Sequence, residues 1–221
     1  EELAGRMHLS AEDTDLARLI ALLHDIGRFE QLKRYDSFEP GTMDHAAYGV
    51  KVLFDEGMIR RFLPDDKWDS IIYTAIAHHS DYELPEISDP QTLLHAKLIR
   101  DEDKLDNCRV KLVDSTSTFI NVSEEELGTQ NITQKVYETV FKNKCILSAD
   151  RVTQMDYWVS YIVYFFDINF KESFDIIAEN DYLNRIIDRI PYSNPVTKEQ
   201  MENIRVYMQN FINSHTNSQS F

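Results

Sequence analysis

Apolar residues recur at helical steps in one segment of the chain after another. Leu16, Leu19, Ile20 and Leu23 share a face, and Ser10-Ala11-Glu12-Asp13 ahead of them has the form of a helix start. The Ser10 hydroxyl can accept a first-turn amide, and acidic residues suit the positive end of the helix dipole. Gly27 marks the predicted stop. Asp44 predicts the cap of a second helix through Val50, Leu53 and Phe54, ended by Gly57. Asp65 or Asp66 predicts the cap of a third, on which Trp68, Ile71, Ile72, Ala75 and Ile76 form one stripe. Ser80 to Pro90 contains two prolines and reads as a loop, and a long charged helix is predicted over 91–113.

After that helix the pattern changes. The Ser/Thr-rich stretch 115–131 reads as a linker. Helices follow near 132–143, 149–168, 171–180, 182–190 and 197–213, with Pro191 and Pro195 punctuating the last two and a frayed tail at 214–221. No strand hairpin and no internal repeat is visible. The chain therefore reads as all-α: a helical domain over 1–115 and a C-terminal helical extension packed on it over 116–221.

Composition narrows the partners. The 221 residues are 43% hydrophobic, and 6 Gly with 6 Pro leave little for loop-rich or barrel architectures. Lys and Arg number 23 against 38 Asp and Glu, a formal net charge of -15. Such a field repels long nucleic acid and anionic membranes. A small phosphorylated substrate stays open, provided metals and a few local cations offset the repulsion. Tyr157 to Phe166 is the densest apolar stretch, but its 10 residues are broken by Ser160, too short for a membrane span. Cys108 and Cys145 lie in no metal spacing, and a reduced cytoplasmic compartment is expected. No signal peptide is read at the first residues, and the chain is expected to start inside a helix that continues upstream. Oligomeric state is not encoded in any pattern here.

Chemistry concentrates at a few helix ends. Leu22-Leu23-His24-Asp25-Ile26-Gly27 puts two metal-capable residues side by side where an apolar helix stops. Helical neighbours are turned about 100° apart, so both reach one ion only at the helix's inner edge. Neutral imidazole with carboxylate suits Mn, Fe, Co, Ni or Zn, with Mg possible and Ca less suited. His45 opens the second helix, and His78-His79 closes the third, His79 continuing the inward stripe. Asp103, on the fourth helix, shares a face with Ile99, Asp106 and Val110, although an acidic run at 101–106 also fits a solvated face. Facing helices of a bundle commonly assemble metal sites from residues placed in this way.

Read in order, His24-Asp25-Ile26-Gly27 and Arg100-Asp101-Glu102-Asp103-Lys104-Leu105-Asp106-Asn107 resemble the HD superfamily of metal-dependent phosphohydrolases. The resemblance covers roughly residues 1–115. It implies a helical bundle of the HD-domain type with additional C-terminal helices, with His24, Asp25 and Asp103 as primary metal ligands. It would make Asp25 a bridging carboxylate and would set His45, His78 and His79 around a second ion, so one or two divalent transition-metal ions are expected. The family's first His should lie near or before residue 1; His8, next to the Ser10 cap, is not assigned. After His79 the sequence Ser80-Asp81-Tyr82-Glu83 lacks the Gly-Tyr-Pro signature of the cyclic-dinucleotide branch.

The reaction implied is hydrolysis of a small phosphoester or nucleotide by metal-activated water. Asp25, Arg28 and Lys104 are the candidate catalytic residues, and Arg28, Lys104 and Arg109 the candidate phosphate contacts. Two alternatives stand beside this reading. One is a di-iron oxygenase on the same ligand set; the other is a non-catalytic ligand-sensing domain with an incomplete site.

Overall fold

The computed structural model describes residues 1–38 and 41–216. Among them the regular elements are helices, with no strand, so the protein is all-α. They form two compact units, Glu1–Glu102 and Asp103–Phe221. The division falls inside a helix rather than in the polar stretch after residue 115.

The first unit contains α1 (Glu2–Arg6), α2 (Ala11–Leu23), α3 (Arg28–Tyr35), α4 (His45–Val50), α5 (Asp69–Ala77) and the beginning of α6 (Pro90–Val113). Ser10 caps α2 by accepting the Asp13 amide at 3.0 Å, and Asp44 caps α4 by accepting the Ala47 amide at 2.9 Å. The expected cap of α5 differs. Asp65 accepts the Lys67 amide at 3.2 Å within a turn, and Trp68 stands at the N-cap without a side-chain bond. Leu16, Ile20 and Leu23 of α2, Val50, Leu53, the α5 stripe Ile71, Ile72, Ala75 and Ile76, and Ile99 of α6 close into one core. Each large aliphatic side chain removed from water there contributes about 1.5–3 kcal/mol before entropy is counted.

Helix α3 has no counterpart in the apolar pattern. Its one buried residue is Gln31, while Phe29, Leu32 and Tyr35 are exposed, so no stripe announces it. Between α2 and α3, Gly27 lets two backbones touch. A Cβ there would collide with the His45 carbonyl and come within 2.9 Å of the Gly49 amide. That approach brings the start of α4 against the end of α2, which places His45 beside Asp25.

The second unit holds the rest of α6, then α7 (Thr116–Ile120), α8 (Glu124–Thr129), α9 (Gln134–Val140), α10 (Gln154–Ile162), α11 (Lys171–Glu179), α12 (Tyr182–Asp188) and α13 (Pro195–Thr216). The stretch expected to be a linker is thus partly helical. Ser123 caps α8 through the Glu126 amide, and Ile120, Val122 and Leu127 are buried. α13 packs on α11 and α12, and α10 on α8. α13 starts at Pro195, where the missing N–H costs nothing, and stays helical through Thr216. Of the tail expected to fray, 217–221 lie outside the described residues. No helix among the described residues is long and apolar enough to cross a membrane.

Candidate metal centre

The end of α2, the start of α4 and the end of α5 meet at one place in the first unit. His24 is the C-cap of α2, His45 the first residue of α4, and His78 the C-cap of α5. One ligand atom each from His24, Asp25 and His79 lie within 4.8 Å of one another. Asp25 Oδ1 stands 3.3 Å from His45 Nε2 and 3.6 Å from His79 Nε2, and Asp25 Oδ2 stands 3.6 Å from His24 Nε2. The His79 ring meets those of His24 and His45 edge-on, each at 5.0 Å between centroids.

Backbone hydrogen bonds fix the rings. His24 Nδ1 donates to the Ala21 carbonyl at 2.8 Å, and His79 Nδ1 donates to the Ile76 carbonyl at 2.7 Å. With the proton held on Nδ1, each neutral ring presents an Nε2 lone pair to the cluster. His45 Nε2 approaches His79 Nε2 to 3.0 Å. Lone pairs and a carboxylate face one another, a set that a cation completes, and the N,O donors suit a divalent transition metal. The residues therefore fit the metal that the sequence pattern implies.

The electrostatics agree. Burial pushes the Asp25 carboxyl upward, but hydrogen bonds from His45 and His79 and the charges of His24 and Arg28, the histidines acting here in their Nε2-protonated forms, outweigh it and hold the group well below the usual carboxylate range. Burial pushes the His45 imidazole down, partly offset by Asp25. Asp25 is thus an anion and His45 favours its neutral form, the states in which both bind metal.

The other candidates have the following partners. His78 is half-exposed and pairs through Nδ1 with Asp81 Oδ2 at 2.6 Å. Arg28 Nε is 3.4 Å from Asp25 Oδ1, beside the cluster. Asp103 belongs to the second unit, where Asn107 Nδ2 donates to its main-chain oxygen at 2.9 Å and to Oδ1 at 3.3 Å. Lys104 is buried in an ion pair with Asp167 at 2.7 Å, and exposed Arg109 pairs with Asp106 at 2.7 Å. His8 occupies a turn with a positive φ of 53° after α1.

Two supporting residues escaped the sequence reading. Gln31 is fully buried, accepts from Arg28 Nη1 at 2.9 Å and donates to Thr42 Oγ1 at 2.8 Å, which steadies Arg28. Its signal was a polar residue at i+3 from Arg28. Asp81 stands at i+3 from His78, a spacing that could have announced their pair.

A helical unit that gathers histidines and a carboxylate at converging helix ends defines a class of metal-site domain. The HD domain family model matches residues 1–108, so this part of the chain is an HD domain. Metal-dependent hydrolases make up most of the family. No curated protein and no solved structure matches the chain.

Proposed function

We propose that this protein is a metal-dependent hydrolase of a small phosphoester or nucleotide. The observation that carries the reading is the donor group of His24, Asp25 and His79, with both imidazole protons tied to backbone carbonyls so that the Nε2 atoms face the carboxylate. The HD domain match supports it independently. A divalent ion bound there would supply Lewis acidity and bring the pKa of a bound water toward neutrality.

The chain's own residues do the rest. His24, Asp25 and His79 hold the ion, and His45 adds a neutral donor on the side of His79. The sequence resemblance alone would add Asp103 to the ligand set and place His78 around a second ion. Arg28, oriented by Gln31, stands where a phosphoryl oxygen would need a cation, and its planar fork suits bidentate contact with phosphate. The substrate field stays small because a net charge of -15 repels polyanions.

The test is a phosphoester panel, from nucleoside monophosphates to simple aryl phosphates, assayed with Mn, Co, Ni, Fe and Zn. Phosphate release that disappears with chelator and returns with metal supports the proposal. A metal-loaded protein that cleaves none of the panel contradicts it.

A further inference from the structure

Arg100 is among the largest fully buried side chains of the protein, 1% exposed, and it lies on α6 of the first unit. Its Nη1 donates to three main-chain carbonyls of a single turn: His78 at 2.9 Å, Asp81 at 2.8 Å and His79 at 3.4 Å. These carbonyls follow the C-terminal end of α5, where a helix leaves its last acceptors without partners and carries partial negative charge. Burying a guanidinium is costly unless its donors are used, and here three of its contacts go to the turn bearing the histidine pair.

Within the turn itself the His78 ring pairs with Asp81 at 2.6 Å, and the Asp81 amide reaches the His78 carbonyl only at 3.4 Å. His78 closes α5 with φ −112° and ψ 9°, outside helical geometry, and the chain leaves toward the loop before α6. Yet His79 must hold its ring so that Nδ1 reaches the Ile76 carbonyl and Nε2 reaches His45 at 3.0 Å and Asp25 at 3.6 Å. A ring whose backbone shifts by half an ångström loses such contacts together.

We infer that Arg100 is the positioning residue of the metal centre: by clamping the carbonyls of His78, His79 and Asp81 it fixes the backbone that aims His79. Its proposed role is exercised through the backbone of this turn rather than by contact with metal or substrate. This inference rests on the metal reading of the site.

The experiment compares full-length wild type with Arg100→Met and Arg100→Lys. Helical circular dichroism checks folding, nitrogen NMR of the histidine rings in metal-free protein reports tautomers, and cobalt(II) titration reports affinity. Wild type should show His79 as a single species with the proton on Nδ1. Arg100→Met should lose that signature while the His24 ring keeps its own, and cobalt affinity should fall about ten- to a hundredfold, the range for outer-shell partners of metal ligands. Arg100→Lys, one bond shorter but with three N–H donors, should recover part of both.

A folded Arg100→Met with wild-type cobalt affinity and an unchanged His79 signature overturns the inference. So does loss of helical signal in both variants, which makes Arg100 a residue of the fold alone. Wild type that binds no cobalt, with a His79 ring that still responds to Arg100, sinks the metal reading and leaves the positioning of His79 standing.

Discussion

The buried polar groups of the two units answer to different partners. In the second unit Asp156 is fully buried, and its carboxylate accepts the amides of Thr133 at 2.8 Å, Val152 at 2.9 Å and Thr153 at 3.1 Å. The buried Thr197 hydroxyl likewise donates to the Gln130 carbonyl at 2.7 Å. Donors meet acceptors, and what they secure is the start of α10 and of α13. In the first unit the Asp25 carboxylate faces the Nε2 atoms of His24, His45 and His79, groups that meet only with a proton or a cation between them. Whether a proton or a metal ion supplies that link is set by the conditions rather than by the fold. One arrangement is finished within the chain, and the other is the one we propose a metal ion completes.

The largest effect that could break this contrast is at Asp25. Asp25→Asn keeps the side chain's size but weakens a ligand that needs its charge. Phosphoester hydrolysis should fall at least about a hundredfold as metal activation of water is lost. Thermal midpoints of the metal-free variant and wild type should stay close, because no packing depends on that carboxylate. Wild-type turnover with metal still bound would make Asp25 one more structural acid.

Asp156→Ala is the counterpart. It leaves three amides without their acceptor and should cost about 2–4 kcal/mol in urea unfolding, with metal uptake by the first unit unchanged. Loss of metal along with stability would erase the distinction between the two sets of polar groups.

Within the first unit, the two adjacent histidines separate site from surroundings. Metal titrations of His79→Ala should show affinity lowered at least about tenfold, as for groups at or next to a metal. His78→Ala should change it by less than about threefold in the same titration, because the half-exposed ring is held by Asp81. Equal losses would bring His78 into the ligand set that the family resemblance gives it.

The smallest effect is a pH dependence. His95 is buried against Asp13 at 3.2 Å; burial lowers its imidazole below the ordinary value, and the Asp13 carboxylate offsets part of that. The unfolded chain then takes up the proton more readily. The stability this residue contributes is complete above about pH 6.5 and declines as pH falls through the range below it. Urea midpoints between about pH 7.5 and about pH 5.5 should fall less steeply for His95→Gln than for wild type. An unchanged slope would show that His95 does not titrate differently on folding.

Much of the site was legible because it sits at the ends of apolar stripes. The stripe of α2 leads to His24, and stepping along α5 from Trp68 points His79 inward; the structure buries His79 and leaves His78 half-exposed. α3 was not legible, since the side it buries is a glutamine that steadies Arg28 rather than an apolar row. α7 and α8 were hidden by composition: their Ser, Thr and Glu residues are caps and exposed positions, and a few apolar residues suffice to anchor them. The clamp of Arg100 on the His78–Asp81 turn depends on contact between residues about twenty apart, which no local pattern carries. For the same reason Lys104 read as a phosphate contact, while its charge is matched by Asp167, far away in sequence.

The central claim is that the acceptor cluster of His24, Asp25 and His79 is completed by a metal ion. The most direct measurement is metal content after the full-length protein is equilibrated with a mixture of divalent transition metals and freed of unbound ions. Wild type should retain at least one ion per chain, and Asp25→Ala should retain almost none while giving the same helical signal. Wild type that emerges metal-free, or Asp25→Ala that keeps its ion, would contradict the account.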